Sequence, residues 1–186
     1  MATINIIHDN RRPEKYPQFM MEFANQGISD YKVWEAVIDR PTVVEAINAS
    51  HKRIVSWAKD MGLAEVCIAE DDLMFTCGDS WRYFLNNKPE NFDLYLSSTY
   101  IVTEPLSKIC GFHLYVVHEK FYDTFLSAPN TAHIDTVMEE LGGDFKFCYP
   151  FPALQRAGFS ANNMAQVNYN QNLDKKHWYD VAVHNL

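Results

Sequence analysis

The chain has 186 residues, 47% of them apolar and 14% aromatic, a composition that builds a globular domain with a sizeable core and excludes intrinsic disorder. A balance of 16 basic against 24 acidic residues gives a net charge of -8, which disfavours broad attraction to nucleic acid or anionic membranes while leaving room for a local basic pocket. The four cysteines (Cys67, Cys77, Cys110 and Cys148) form no Cys-x-x-Cys pair, so neither a zinc framework nor a disulfide scaffold is expected.

Thr3 to Ile7 reads as a first strand, ending in the polar loop His8-Asp9-Asn10-Arg11-Arg12-Pro13. Glu14 to Gln26 carries Tyr16, Phe19, Met20 and Phe23 at helical spacing and stops at Gly27, a usual helix terminator. Tyr31 to Ile38 predicts a second strand, Asp39-Arg40-Pro41 a turn, and Thr42 the cap of a helical stretch reaching Met61-Gly62. Glu65 to Ala69 predicts a third strand. Further on, helices are expected over Ser80–Leu85, Glu119–Leu126 and Ile134–Leu141, with strands over Asp93–Ser97, Gly111–His118 and Phe145–Tyr149. The opening strand-helix-strand-helix-strand order predicts an α/β fold, its mostly parallel central sheet flanked by helices and its ligand crevice beyond the carboxyl ends of the strands. Residues 1–160 read as the main domain, and the Asn- and Gln-rich 161–186, with Lys175-Lys176-His177-Trp178-Tyr179, as an arm packing on it or on a second subunit. With no bilayer-length apolar run and no basic leader in Met1–Ile7, a cytoplasmic location is expected.

The chemistry concentrates at Glu70-Asp71-Asp72, three acids wedged between Val66-Cys67-Ile68-Ala69 and Leu73-Met74-Phe75. Carboxylates packed at the end of a buried strand repel one another and lose hydration unless a cation offsets them. Oxygen ligands select hard ions such as Mn2+ or Mg2+, which bridge one or two carboxylates to substrate phosphates. Alternation along an extended chain puts Glu70 and Asp72 on one side and Asp71 on the other. Asp72 is then the candidate metal ligand with Glu70 assisting, and Asp71 fixes the loop or meets substrate. A solvated turn is the plain alternative. Arg11 and Arg12 are candidates for a diphosphate, or simply a charged loop ahead of a helix. Ser50-His51 either faces the crevice or sits at a surface turn. Asp135, in His133-Ile134-Asp135, is both a favoured helix-start residue and a candidate general base. Neither a Gly-x-x-x-x-Gly-Lys loop nor a Gly-x-Ser-x-Gly elbow occurs.

These pieces, in order, resemble glycosyltransferase family 25, the lipopolysaccharide-biosynthesis and procollagen-galactosyltransferase group. The likeness lies in Ile4-Asn5-Ile6 with Arg11-Arg12, Trp34-Glu35-Ala36-Val37-Ile38-Asp39, Ala49-Ser50-His51 with Trp57, Ile68-Ala69-Glu70-Asp71-Asp72, Gly111 to Val117, His133-Ile134-Asp135, and Pro152-Ala153-Leu154-Gln155 with Phe159-Ser160. The resemblance implies a GT-A-like nucleotide-diphospho-sugar transferase fold, a divalent cation, and inverting transfer of a hexose, often galactose from a UDP-sugar, to a glycan or other hydroxyl acceptor. It implies a nucleotide-sugar site near His8, Arg11, Arg12, Trp34, Ala36, Val37, Asp39, Ser50, His51 and Glu70, with metal at Asp72 and Glu70, and with Asp135 and Asp71 acting on the reacting groups. The alternatives are a non-catalytic nucleotide- or glycan-binding relative and a phosphotransferase or nucleotidyltransferase on a similar scaffold. An oligomer is compatible with all three.

Overall fold

A computed structural model of the chain describes residues 3–100, 110–160 and 162–172. Its elements in chain order are β1 (Ile4–His8), α1 (Lys15–Asn25), β2 (Tyr31–Glu35), α2 (Val43–Asp60), β3 (Glu65–Glu70), β4 (Leu73–Phe75), α3 (Ser80–Asn86), β5 (Leu94–Leu96), β6 (Leu114–His118), α4 (Tyr122–Ser127), α5 (Ile134–Leu141), β7 (Phe145–Phe147), β8 (Ala153–Gln155), β9 (Gly158–Ser160) and β10 (Ala165–Val167). A 3-10 turn at Glu119–Phe121 leads into α4, and another follows at Tyr169–Asn172.

Six strands form the central sheet in the order β2-β1-β3-β6-β5-β7. β1 is parallel to β2 and β3, and β5 is parallel to β7, whereas β6 runs antiparallel to both β3 and β5. Five strands therefore share one direction, as expected of a mostly parallel sheet. The reversal of β6 matters for the site: its beginning, not its end, lies beside the carboxyl end of β3, and Glu70 N donates to His113 O at 3.1 Å.

Alternation along the strands fills two cores, one on each face. Val66 and Ile68 of β3, with Tyr115 and Val117 of β6, pack against Ile54, Val55 and Ala58 of α2 and against α4 and α5. Cys67, Ala69, Leu114 and Val116 face the other way, onto Phe19 and Phe23 of α1 and Trp81 and Phe84 of α3. Helix α1 ends at Gly27 and α2 at Gly62, both in the left-handed region (φ 66 and 64), where glycine carries no Cβ penalty. At the start of α2 the expected cap is a reciprocal box: Glu45 N donates to Thr42 Oγ1 (3.2 Å) and Thr42 N to Glu45 Oε2 (3.0 Å).

The second strand stops at Glu35, short of the expected Ile38. Ala36 N still reaches His8 O (2.8 Å), but Val37 N turns to the Ser50 hydroxyl (2.9 Å), which draws the chain off the sheet toward α2. Two small antiparallel pairs, β4 with β8 and β9 with β10, go beyond the sequence expectation. The β9–β10 pairing crosses the boundary expected at residue 160, and Lys175 to Tyr179 lie outside the described residues. No helix among the described residues is long and apolar enough to cross a membrane.

Candidate functional site

The carboxyl ends of β1, β2 and β3 and the beginning of β6 open onto one cavity of about 540 Å3. Arg11, Arg12, Ala36, Val37, Ser50, His51, Glu70, Asp71, Asp72 and Asp135 all line it. They come from five separate stretches of sequence: the segments after β1 and β2, the end of β3 with its turn, the middle of α2 and the first turn of α5.

Glu70 is the last residue of β3. Its Oε1 lies 3.0 Å from His51 Nε2, and His51 Nδ1 lies 2.8 Å from the Tyr115 hydroxyl. A carboxylate only accepts, so toward an ionised Glu70 it is Nε2 that donates. This chain of contacts is anchored in the core, with His51 1% exposed. Burial pushes the Glu70 carboxyl up; the His51 hydrogen bond opposes the shift and the neighbouring Asp72 charge adds to it.

β3 ends at Glu70 and the chain turns at residues 71–72, so the strict alternation expected of the triplet stops there. As a result Asp71 and Asp72 share one cation. Lys15 Nζ donates to Asp71 Oδ1 at 2.8 Å and to Asp72 Oδ2 at 3.1 Å. Burial works against the lysine charge, but Asp72 and Asp71 more than offset it, and the Lys15 pKa is raised. Asp71 Oδ2 also accepts from His8 Nδ1 (2.8 Å) and Asp9 N (3.2 Å), so both of its oxygens are engaged in holding the loop after β1. Asp72 differs: Oδ2 takes a further bond from Gln155 Nε2 (3.1 Å), while Oδ1 is buried and has no hydrogen-bond partner among the described residues. Leaving such an oxygen unsatisfied is costly, and the atom is an acceptor in want of a ligand.

Asp135 sits in the first turn of α5. Its Oδ2 accepts from Gly111 N (3.0 Å) and its Oδ1 from Thr136 N (2.9 Å). Gly111 adopts φ +117, and a Cβ there would meet the Tyr100 ring at 3.1 Å, so glycine is needed to present that amide. The start of α5 is fixed from across the core by Asn48 of α2, which is fully buried. Asn48 Nδ2 donates to the carbonyls of Asn130 (3.0 Å) and Ala132 (2.7 Å), and its Oδ1 accepts from Ile134 N (3.2 Å).

Three of the expected residues stand back from the cavity. His8 is 4% exposed and engaged with Asp71. Trp34 turns to the sheet, donating to Asn5 Oδ1 (2.9 Å) and packing edge-on against Trp57, with Lys32 Nζ over its ring at 3.9 Å. Asp39 lies exposed, paired with its neighbour Arg40. Arg11 is held by Asp9 (2.7 Å), whereas Arg12 donates to Phe159 O (2.9 Å).

Lys15 and Asn48 escaped sequence reasoning, although each leaves a trace. Lys15 falls four residues before Phe19 and eight before Phe23, on the buried face of α1. Asn48 heads the stripe His51, Ile54, Val55, Ala58 on α2. A polar side chain in an apolar stripe requires a partner.

The donor set fits a hard divalent cation in one limited way. Among the described residues no group of three His, Cys, Asp or Glu side chains is spaced to hold an ion alone. Asp72 Oδ1, with Glu70 beside it, offers the one or two carboxylates that suffice when substrate phosphates and water complete the shell.

No family model matches the sequence, so the family 25 likeness has no support from that side, and no curated protein matches it either. Solved structures do. The catalytic domain of Drosophila beta1,4-galactosyltransferase 7 in complex with xylobiose aligns over 80% of this chain and 65% of its own, just under two thirds of its length, at 11% identity and TM-score 0.50. A mutant of the same enzyme in complex with manganese, UDP-Gal and xylobiose aligns over 94% of this chain and 74% of its own (11% identity, TM-score 0.50). A glycosyltransferase involved in the glycosylation of the major capsid of PBCV-1 aligns over 78% and 80% (12% identity, TM-score 0.50). The fold is GT-A. At these identities the likeness is one of architecture alone.

Proposed function

We propose that this chain is a divalent-cation-dependent glycosyltransferase of family 25 type, moving a hexose from a nucleotide-diphospho-sugar to a hydroxyl acceptor with inversion at the anomeric carbon. One observation carries the reading: the buried, unpartnered Oδ1 of Asp72, a residue that lines the same cavity as Asp135. The GT-A fold supports it, because its solved examples include complexes with manganese, UDP-Gal and xylobiose.

In this reading Asp72 and Glu70 would hold Mn2+ or Mg2+, which when bound supplies charge stabilisation to the leaving diphosphate. Arg11 and Arg12 add charge-assisted hydrogen bonds to the same phosphates. Glu70, oriented by His51, accepts from a donor hydroxyl. The backbone at Ala36 to Ile38 flanks the nucleoside. Asp71, 7% exposed and bonded to His8, Asp9 N and Lys15, fixes the loop that carries the arginines. Asp135 takes the proton from the acceptor hydroxyl as that oxygen bonds to the anomeric carbon and the bond from carbon to diphosphate oxygen breaks. Inversion follows from attack on the face opposite the leaving group.

The test is acceptor-free hydrolysis of a panel of UDP-, GDP- and dTDP-hexoses by the purified chain, with and without Mn2+. Slow, metal-dependent release of nucleoside diphosphate, abolished in Asp72→Ala, is expected. Binding of a nucleotide-sugar with no turnover in any condition, even with a range of sugar acceptors, would favour the non-catalytic alternative.

A further inference from the structure

A second cavity, of about 270 Å3, lies next to the first. The two share Lys15, Asp72 and Gln155, which form a common wall, and they share Phe159. The cationic groups of the second cavity already have anionic or carbonyl partners. Arg156 pairs with Glu22, Lys15 with Asp71 and Asp72, and Arg12 donates to Phe159 O and lies 3.7 Å from Glu14. Arg12 is the cation assigned above to the diphosphate, so no cation of this lining is left over for an anionic glycan. What remains available is of another kind. The side-chain amides of Gln18 and Gln166 line the space and make no hydrogen bond among the described residues. The Phe159 ring is 42% exposed. Phe159 and Gln166 are direct cross-strand partners in the β9–β10 pair, so their side chains leave the hairpin on the same face.

An exposed ring beside amides that both donate and accept is the chemistry that recognises a sugar. The ring covers the apolar C–H face, and an amide answers two neighbouring hydroxyls at once. We infer that the second cavity is a binding subsite for a neutral glycan chain. Resting on the transferase reading, it holds the sugar residue next to the one whose hydroxyl enters the first cavity. The consequence is a preference for acceptors of two or more uncharged sugar rings over monosaccharides, and over chains carrying carboxylate or sulfate.

The experiment uses the full chain with UDP and Mn2+, an array of neutral and acidic oligosaccharides, and calorimetric titration of the best neutral disaccharide and its terminal monosaccharide. The disaccharide is expected to bind at least tenfold more tightly than the monosaccharide. Gln166→Ala and Gln18→Ala, with melting temperatures matching the wild type, are expected to erase that advantage. Equal binding of mono- and disaccharide, a preference for acidic chains, or a disaccharide advantage that survives both variants would overturn the inference. Acceptor-free donor hydrolysis is read separately. Glycan binding that depends on Gln166 without any hydrolysis would uphold the subsite and sink the transferase reading, whereas hydrolysis without a disaccharide advantage would do the reverse.

Discussion

Replacing Lys15 with methionine keeps the apolar stem that packs on α1's buried face and removes the ammonium bonded to both Asp71 and Asp72. The three side chains are 11%, 9% and 18% exposed, so solvent screens their charges weakly. Breaking a buried pair from one side costs about 3–5 kcal/mol, because the partner charges stay behind. Asp71 keeps His8 and the Asp9 amide, and Asp72 keeps Gln155, which sets the expected loss near the lower end, about 3 kcal/mol. For a chain of this size that lowers Tm by roughly 6–12 °C. The pH dependence has a definite sign. The Lys15 pKa is raised above 10.5 in the folded state, so the lysine's contribution is fully present below that value and is lost as pH rises through the higher folded one. Thermal and urea melts of both proteins from pH 7 to 11 measure this. A variant within about 1 kcal/mol of wild type at neutral pH would refute the claim that Lys15 neutralises the cluster.

Asp135→Asn is expected to lower kcat by about 10²–10⁴-fold while leaving the donor Kd unchanged, as separate turnover and titration measurements would establish. Asn48→Ala removes bonds to three peptide groups around the start of α5. It should cost about 2–3 kcal/mol in urea melts and reduce kcat with little change in donor KM, because it displaces Asp135 rather than the nucleotide side. His113 is fully buried, and burial pushes its pKa down from 6.5 to about 4. A depressed histidine contributes stability that is present above pH 6.5 and lost as pH falls toward 4, an effect of about 3 kcal/mol. His113→Gln should flatten the melting profile across that interval.

How far the sequence carried can be read from individual residues. Strand and helix positions followed from local patterns: the period of Tyr16, Phe19 and Phe23, the glycine stops, and Thr42 with Glu45. The crevice followed from topology, since loops after parallel strands share an edge. Pairings between distant segments did not follow. The arrest of β2 at Glu35 depends on a hydroxyl from Ser50, and the joining of Asp71 to Asp72 depends on a lysine more than fifty residues earlier. Trp34 illustrates a different difficulty. An aromatic residue beside an expected nucleotide site invites a stacking role, yet at a sheet edge with Trp57 opposite, packing decided its place. The reversed direction of β6, which brings Gly111 to Asp135, has no signature in composition or spacing.

Manganese electron paramagnetic resonance addresses the unpartnered Asp72 oxygen most directly. Titrating Mn2+ into the chain in the presence of UDP should show one bound ion per molecule, lost in Asp72→Asn, which keeps the shape of the side chain and removes its charge. Equal manganese binding by wild type and Asp72→Asn, or no binding to the wild type with UDP present, would contradict the account.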